Sequence, residues 1–169
     1  KIFINSKVAA EIKNYDEAKA SIDETLNKMG LDYLDMMIIH KPQPWNEVNQ
    51  SSDRHFEGNL ETWHAMEDAV KEGKLRTIGV SSFEKDDLDN LIKNSSTKPA
   101  VNQILVHIGE TPMDLIDYSQ DNDIVVEAFS PIAHGAALNN PEIKKMADKY
   151  GVSVPQLCIR YDWQLNCVV

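Results

Sequence analysis

The chain has 169 residues, 42% of them hydrophobic and 26% charged, enough for one domain over residues 1–169 that buries roughly two-thirds of its unfolded surface. A net charge of −10 argues against a basic nucleic-acid surface, and no apolar run is of membrane-spanning length. No signal peptide is visible. The two cysteines, Cys158 and Cys167, lack ligand partners at metal spacing, so the composition predicts a cytoplasmic protein with reduced thiols and no metal site.

In chain order, residues 2–5 read as a short strand, with Ser6 and Lys7 leaving its C-terminal end. Asn14 followed by Glu17 opens a helix in the manner of a capping box, and Gly30 closes it. The run Met36-Met37-Ile38-Ile39 is too short for a helix and suits a strand buried on both faces. It delivers His40 to its C-terminal end, and Pro42 turns the chain outward. Such a histidine either orients a carbonyl or merely finishes a strand with a hydrogen bond. Residues 41–58 read as a long substrate-facing loop, with Asn59 capping the next helix and Gly73 ending it. Residues 75–80 form a strand that ends in Ser81 and Ser82.

A helix over residues 84–94 and a strand over 100–104, carrying Gln103, come next. Thr111 and Pro112 start another helix as N-cap and first residue. Residues 124–129 form a strand ending at Phe129, followed by Ser130. Asn140 and Ser153 each open a helix, and Cys167-Val168-Val169 begins a further strand. Strand and helix thus alternate five times, the pattern of a parallel α/β fold. Glycine-rich dinucleotide and phosphate loops are missing, which disfavours a Rossmann or P-loop site and favours a barrel or part of one. Lys1 is not a starting methionine, and strand-like segments at both ends predict a piece of a longer chain.

In a barrel the C-terminal strand ends meet at one mouth. Those ends carry Lys7, His40, Ser81, Ser82, Gln103, Phe129 and Ser130. Taken singly, each has a bland role as surface residue, helix cap or core. Their order closely resembles the aldo-keto reductase family. The stretches that match are Ile4-Asn5-Ser6-Lys7, Leu31-Asp32-Tyr33-Leu34-Asp35 through His40, Ile78-Gly79-Val80-Ser81-Ser82-Phe83, Ala100-Val101-Asn102-Gln103, Ile124-Val125-Val126-Glu127-Ala128-Phe129-Ser130-Pro131 and Tyr150-Gly151-Val152-Ser153.

The resemblance implies a (β/α)8 TIM barrel, present here as strands 3 to 7 and the start of strand 8. It implies reduction of small aldehydes or ketones with NADPH through an Asp-Tyr-Lys-His tetrad. Lys7 corresponds to the lysine that tunes the tyrosine and His40 to the histidine that orients the carbonyl. Ser81, Ser82 and Gln103 match positions that hold the nicotinamide carboxamide, Phe129 matches the stacking ring, and Ser130 begins the pyrophosphate segment. Ser82 stands where Asn is common, Phe129 where Tyr is common, and Lys41 where Trp is frequent, which makes the substrate pocket more polar. Nothing in the chain matches the tetrad's Asp or Tyr; Tyr15 and Tyr33 lie elsewhere in the pattern. The alternative is a catalytically inactive, family-derived binding or regulatory module. Substrate identity and oligomeric state are not set by these residues.

Overall fold

Strand β2 (Leu34–Ile39) is the most buried segment of a computed structural model that describes residues 2–48 and 50–169. Its neighbours are β1 (Asn5–Val8) and β3 (Leu75–Ser81), both parallel to it, with Lys7 opposite Ile38 and Ile38 opposite Gly79. The remaining strands are β4 (Val101–Leu105) and β5 (Val125–Phe129), and the sheet order β1-β2-β3-β4-β5 follows the chain. Two compact units, Lys1–Asn102 and Gln103–Val169, divide within β4.

In the first unit, α1 (Tyr15–Met29) begins where Asn14 accepts a hydrogen bond from the Glu17 amide and ends at Gly30, whose φ of 64° suits a residue without Cβ. Helix α2 (Phe56–Lys71) packs against it. The fully buried Trp63 of α2 donates its indole N–H to the Thr97 carbonyl at 2.9 Å. Helix α3 (Lys85–Asn94) is capped by Glu84, whose amide donates to the Asp87 carboxylate while the Glu84 side chain accepts from the Asp87 amide. Side chains on β2 alternate. Met36 and Ile38 cluster with Val101 on one face, and Met37 and Ile39 are wholly buried on the other. The double-sided burial expected of this strand is what the structure shows.

In the second unit, α4 (Met113–Asp121) precedes β5, and a 3₁₀ segment (Ala133–Asn139) follows it. Helices α5 (Pro141–Tyr150) and α6 (Val154–Gln164) start at Asn140 and at the reciprocal Ser153/Gln156 capping box. Val168 makes a parallel bridge with Glu127, its carbonyl accepting from the Ala128 amide at 2.7 Å, so the expected strand start pairs alongside β5.

Four expectations need correction. The first strand lies at Asn5–Val8 rather than residues 2–5, because Ile2 and Phe3 are exposed and β2 pairs with the polar residues that follow. Lys7 therefore sits in the strand, not beyond it. Helix α2 starts at Phe56, three residues before Asn59, which is buried inside the helix and does not cap it. Gly58 lies in this first turn, where a Cβ would be 2.7 Å from the Lys13 Cβ and carbonyl oxygen, so close approach explains the glycine. Thr111 caps nothing; its hydroxyl donates to the His107 carbonyl and meets the Tyr161 hydroxyl at 2.8 Å, and α4 begins at Met113 after Pro112. The 3₁₀ segment carries no periodic apolar signal and was not expected.

Candidate active site

The first unit gathers Lys7, His40 and Ser81 on one face of the sheet. Lys7, Ile38 and Gly79 form one row across β1, β2 and β3. His40 and Ser81 follow two residues beyond Ile38 and Gly79, hence on the same side. Beneath them lie Met36, Ile38 and Val101. Gly79 is small because a Cβ there would come within 2.8 Å of the Val101 carbonyl oxygen. The His40 amide donates to the Val8 carbonyl at 3.0 Å, which extends the β1–β2 ladder one residue and fixes where the imidazole emerges.

His40 is half-buried, and its ring meets Trp45 edge-on at a centroid distance of 5.0 Å. Among the described residues, neither ring nitrogen has a hydrogen-bond partner. Being half-buried and not wholly enclosed, the imidazole keeps both nitrogens open to solvent or to a ligand. Burial, followed by the positive charge of Lys7, holds its pKa below the ordinary value of 6.5, partly opposed by Glu11. The lowered pKa favours the neutral imidazole at pH 7, which has one N–H to donate.

The loop leaving His40 is held by side chains rather than secondary structure. Lys13 Nζ donates to the Lys41 carbonyl at 3.1 Å and to Asn59 Oδ1 at 2.9 Å. Asn59 Nδ2 donates to the carbonyls of Pro42 and Arg54 at 3.0 and 2.9 Å. Gln43 Nε2 donates to the carbonyls of Ser51 and Asp53 at 2.9 and 2.8 Å. Arg54 binds the buried Asp87 carboxylate through Nε at 3.0 Å and also through its terminal nitrogen. Desolvation lowers Lys13 to about 8 despite nearby acids. The expected long loop therefore exists over residues 40–55 and is pinned.

At the end of β3, Ser81 is buried and Ser82 has a φ of 57°, a left-handed conformation that asparagine adopts more readily than serine. Asn102, fully buried, holds this turn by donating to the Phe83 carbonyl at 2.9 Å and accepting from the Phe83 amide at 3.4 Å.

The second unit carries Gln103, Phe129 and Ser130. Gln103 Nε2 donates to Glu127 Oε1 at 2.6 Å, which orients its amide. Phe129 ends β5 half-buried. Ser130 has a φ of 58°, accepts the Ala133 amide at its carbonyl at 2.8 Å, and sets its hydroxyl 3.3 Å from His134 Nε2. Ala133 and His134 are also left-handed, and the Gly135 amide donates to the Ile132 carbonyl at 2.9 Å, which closes the turn after β5. His107 is tied into a turn by two backbone hydrogen bonds with Glu110. An open groove of about 940 Å³ along Ile159, Trp163 and Val168 contains no expected site residue. Among the described residues, no cluster of three metal-ligating side chains occurs and no helix is long and apolar enough to cross a membrane.

Sequence reasoning did not foresee Trp45, Asn102, Glu127 or the Arg54–Asp87 pair. Asn102 stands in a quoted stretch but gives no local sign of its reach to Phe83. The Trp45 contact depends on how the loop folds back, which no periodicity encodes.

The Aldo/keto reductase family model matches residues 1–168. A glyoxal reductase of Bacillus subtilis (strain 168) is 37% identical over 167 residues, which cover 99% of this chain and 56% of that protein. The solved aldo/keto reductase from Brucella melitensis gives a TM-score of 0.88 at 33% identity, covering 99% of this chain and 61% of that one. An aldo-keto reductase of Bombyx mori solved in complex with NADP gives 0.83 at 31% identity, covering 99% and 57%. The chain thus spans about half the length of the curated relatives it matches.

Proposed function

The chain belongs to the aldo/keto reductase family, with the α/β fold of that family's (β/α)8 barrels, and on this premise we propose that the whole protein reduces small aldehydes and ketones with NADPH. The observation that carries this reading is the placement of Lys7, His40 and Ser81 on one face of the sheet, with the His40 nitrogens uncommitted among the described residues.

In this reading Lys7 and His40 are two members of an Asp-Tyr-Lys-His tetrad. Neutral His40 donates an N–H to the substrate carbonyl oxygen and aligns it, as its depressed pKa allows. The Lys7 ammonium favours the ionised form of an adjoining phenol and so makes it a better acid near neutral pH. When bound, NADPH supplies the hydride that reaches the carbonyl carbon.

The residues on hand suit that cofactor. By family likeness, Ser81 and Ser82 in the first unit would offer hydroxyls for a carboxamide; in the second, Gln103 would offer an amide and Phe129 a ring for a planar heterocycle. Ser130, matched to the start of the pyrophosphate segment, offers a hydroxyl for a diphosphate at the turn after β5. Asn102 and Glu127 are positioning residues for the Ser82 turn and the Gln103 amide. The name of the Bacillus relative favours a small aldehyde, and the family match across residues 1–168 favours a single domain. The same reading puts the protein in the cytoplasm, consistent with two buried free thiols.

The test is NADPH binding by fluorescence quenching and NADPH oxidation at 340 nm, with benzaldehyde and glyoxal, in the full-length protein. Binding with turnover is expected. Binding without turnover would favour the inactive module, and no binding at all would refute the assignment.

A further inference from the structure

Lys41 follows His40 directly and is half-buried against the same aromatic ring. Its ammonium lies 5.3 Å from the Trp45 centroid, and the His40 ring lies 5.0 Å from that centroid edge-on. Lys41 makes no ion pair among the described residues. The acids around the loop are otherwise engaged. Glu47 binds His55 Nε2 at 2.8 Å, Asp53 accepts the His55 amide at 2.8 Å, and Asp87 binds Arg54. Glu84 is within electrostatic range of Lys41 but its side chain caps α3.

The lysine is also held in place. Its own carbonyl accepts from Lys13, and the next residue's carbonyl accepts from Asn59, so the backbone that carries the ammonium is fixed beside the imidazole. A partly desolvated cation without a counter-ion, pre-positioned next to a carbonyl-orienting group, is a site in want of an anion. The half-exposed Trp45 ring, which the ammonium overlies, adds apolar surface at the same spot for the body of a ligand.

Building on the reductase reading, we infer that Lys41 is a specificity-determining residue that binds a carboxylate on the carbonyl substrate, so that the protein favours small aldehyde or keto acids over their uncharged counterparts. An ammonium on a flexible stem suits a single carboxylate oxygen, and Arg54, paired with Asp87, does not compete for the ligand.

Two measurements on the full-length protein test this. In steady-state kinetics, wild type should show a higher kcat/KM for 3-carboxybenzaldehyde than for benzaldehyde. Lys41→Met should lower the ratio of the two about tenfold, through KM and not kcat, and Lys41→Arg should restore most of it. In calorimetry, benzoate binding should weaken severalfold in Lys41→Met and more steeply with salt in wild type than in the variant. An unchanged ratio together with unchanged benzoate affinity would overturn the assignment. Because benzoate binding requires no turnover, loss of the lysine's role and failure of the reductase reading give different results.

Discussion

Asp87 in the first unit and Asp162 in the second are both closed off from solvent, yet only Asp87 has partners. Asp87 takes Arg54 Nε at 3.0 Å, a second Arg54 nitrogen, and the Glu84 amide at 2.8 Å. Asn59 and Glu67 in the same unit are as fully used. Glu67 accepts from the Ser96 amide, the Ser96 hydroxyl and the Thr97 amide within 3.0 Å. Neither Asp162 oxygen has a hydrogen bond, and burial pushes its pKa up to about 6, only partly offset by His107. Polar burial in the first unit has a structural return: Asn59 and Asp87 fix the loop that leaves His40, and Glu67 fixes the turn after α3. Asp162 is a cost without a visible return. Substitution should therefore act with opposite sign in the two units.

The largest effect is expected at Asp87. Asp87→Ala strands the Arg54 guanidinium and leaves the Glu84 amide without its acceptor, and should lower unfolding stability by about 3 kcal/mol in a urea titration. Asn59→Ala should cost about 2 kcal/mol, since it leaves the Lys13 ammonium and two carbonyls short of partners. The reverse sign is expected for Asp162→Leu, which should gain on the order of 1 kcal/mol at pH 7, after allowance for solvent screening.

The sign of the pH effect follows from the raised pKa. Between pH about 4 and 6 the folded protein holds a proton that the unfolded chain has lost, so wild type should lose stability as pH rises through that window. The Asp162→Leu protein should lack that slope; a slope equal to wild type would assign it to other groups. Smallest is the shift at His40. Its NMR titration midpoint should fall below 6.5, and Lys41→Met should move it upward, because the Lys41 charge is one of the forces holding it down.

Local signals carried much of the fold. Asn14, Gly30, Asn140 and Ser153 cap helices where short-range chemistry says they should. The apolar run before His40 is a buried strand, and Val168 pairs beside β5. What failed locally depended on distant partners. Asn5, Ser6 and Lys7 have little strand propensity, and β2 recruits them by offering an open edge. Gly58 is explained only once Lys13 is seen against it. The position of His40 followed from a strand end, Lys7 was placed by family likeness but lies inside β1, and Trp45, Asn102 and Asp87 became visible only through contacts formed in three dimensions.

The most direct test of the central claim is the turnover of full-length His40→Ala beside its NADPH affinity. The account predicts a fall in kcat of about 100-fold or more with an aldehyde substrate, with the NADPH dissociation constant within about twofold of wild type. Unchanged turnover, or a loss of NADPH binding that matches the loss of rate, would contradict the role given to the histidine at the end of β2.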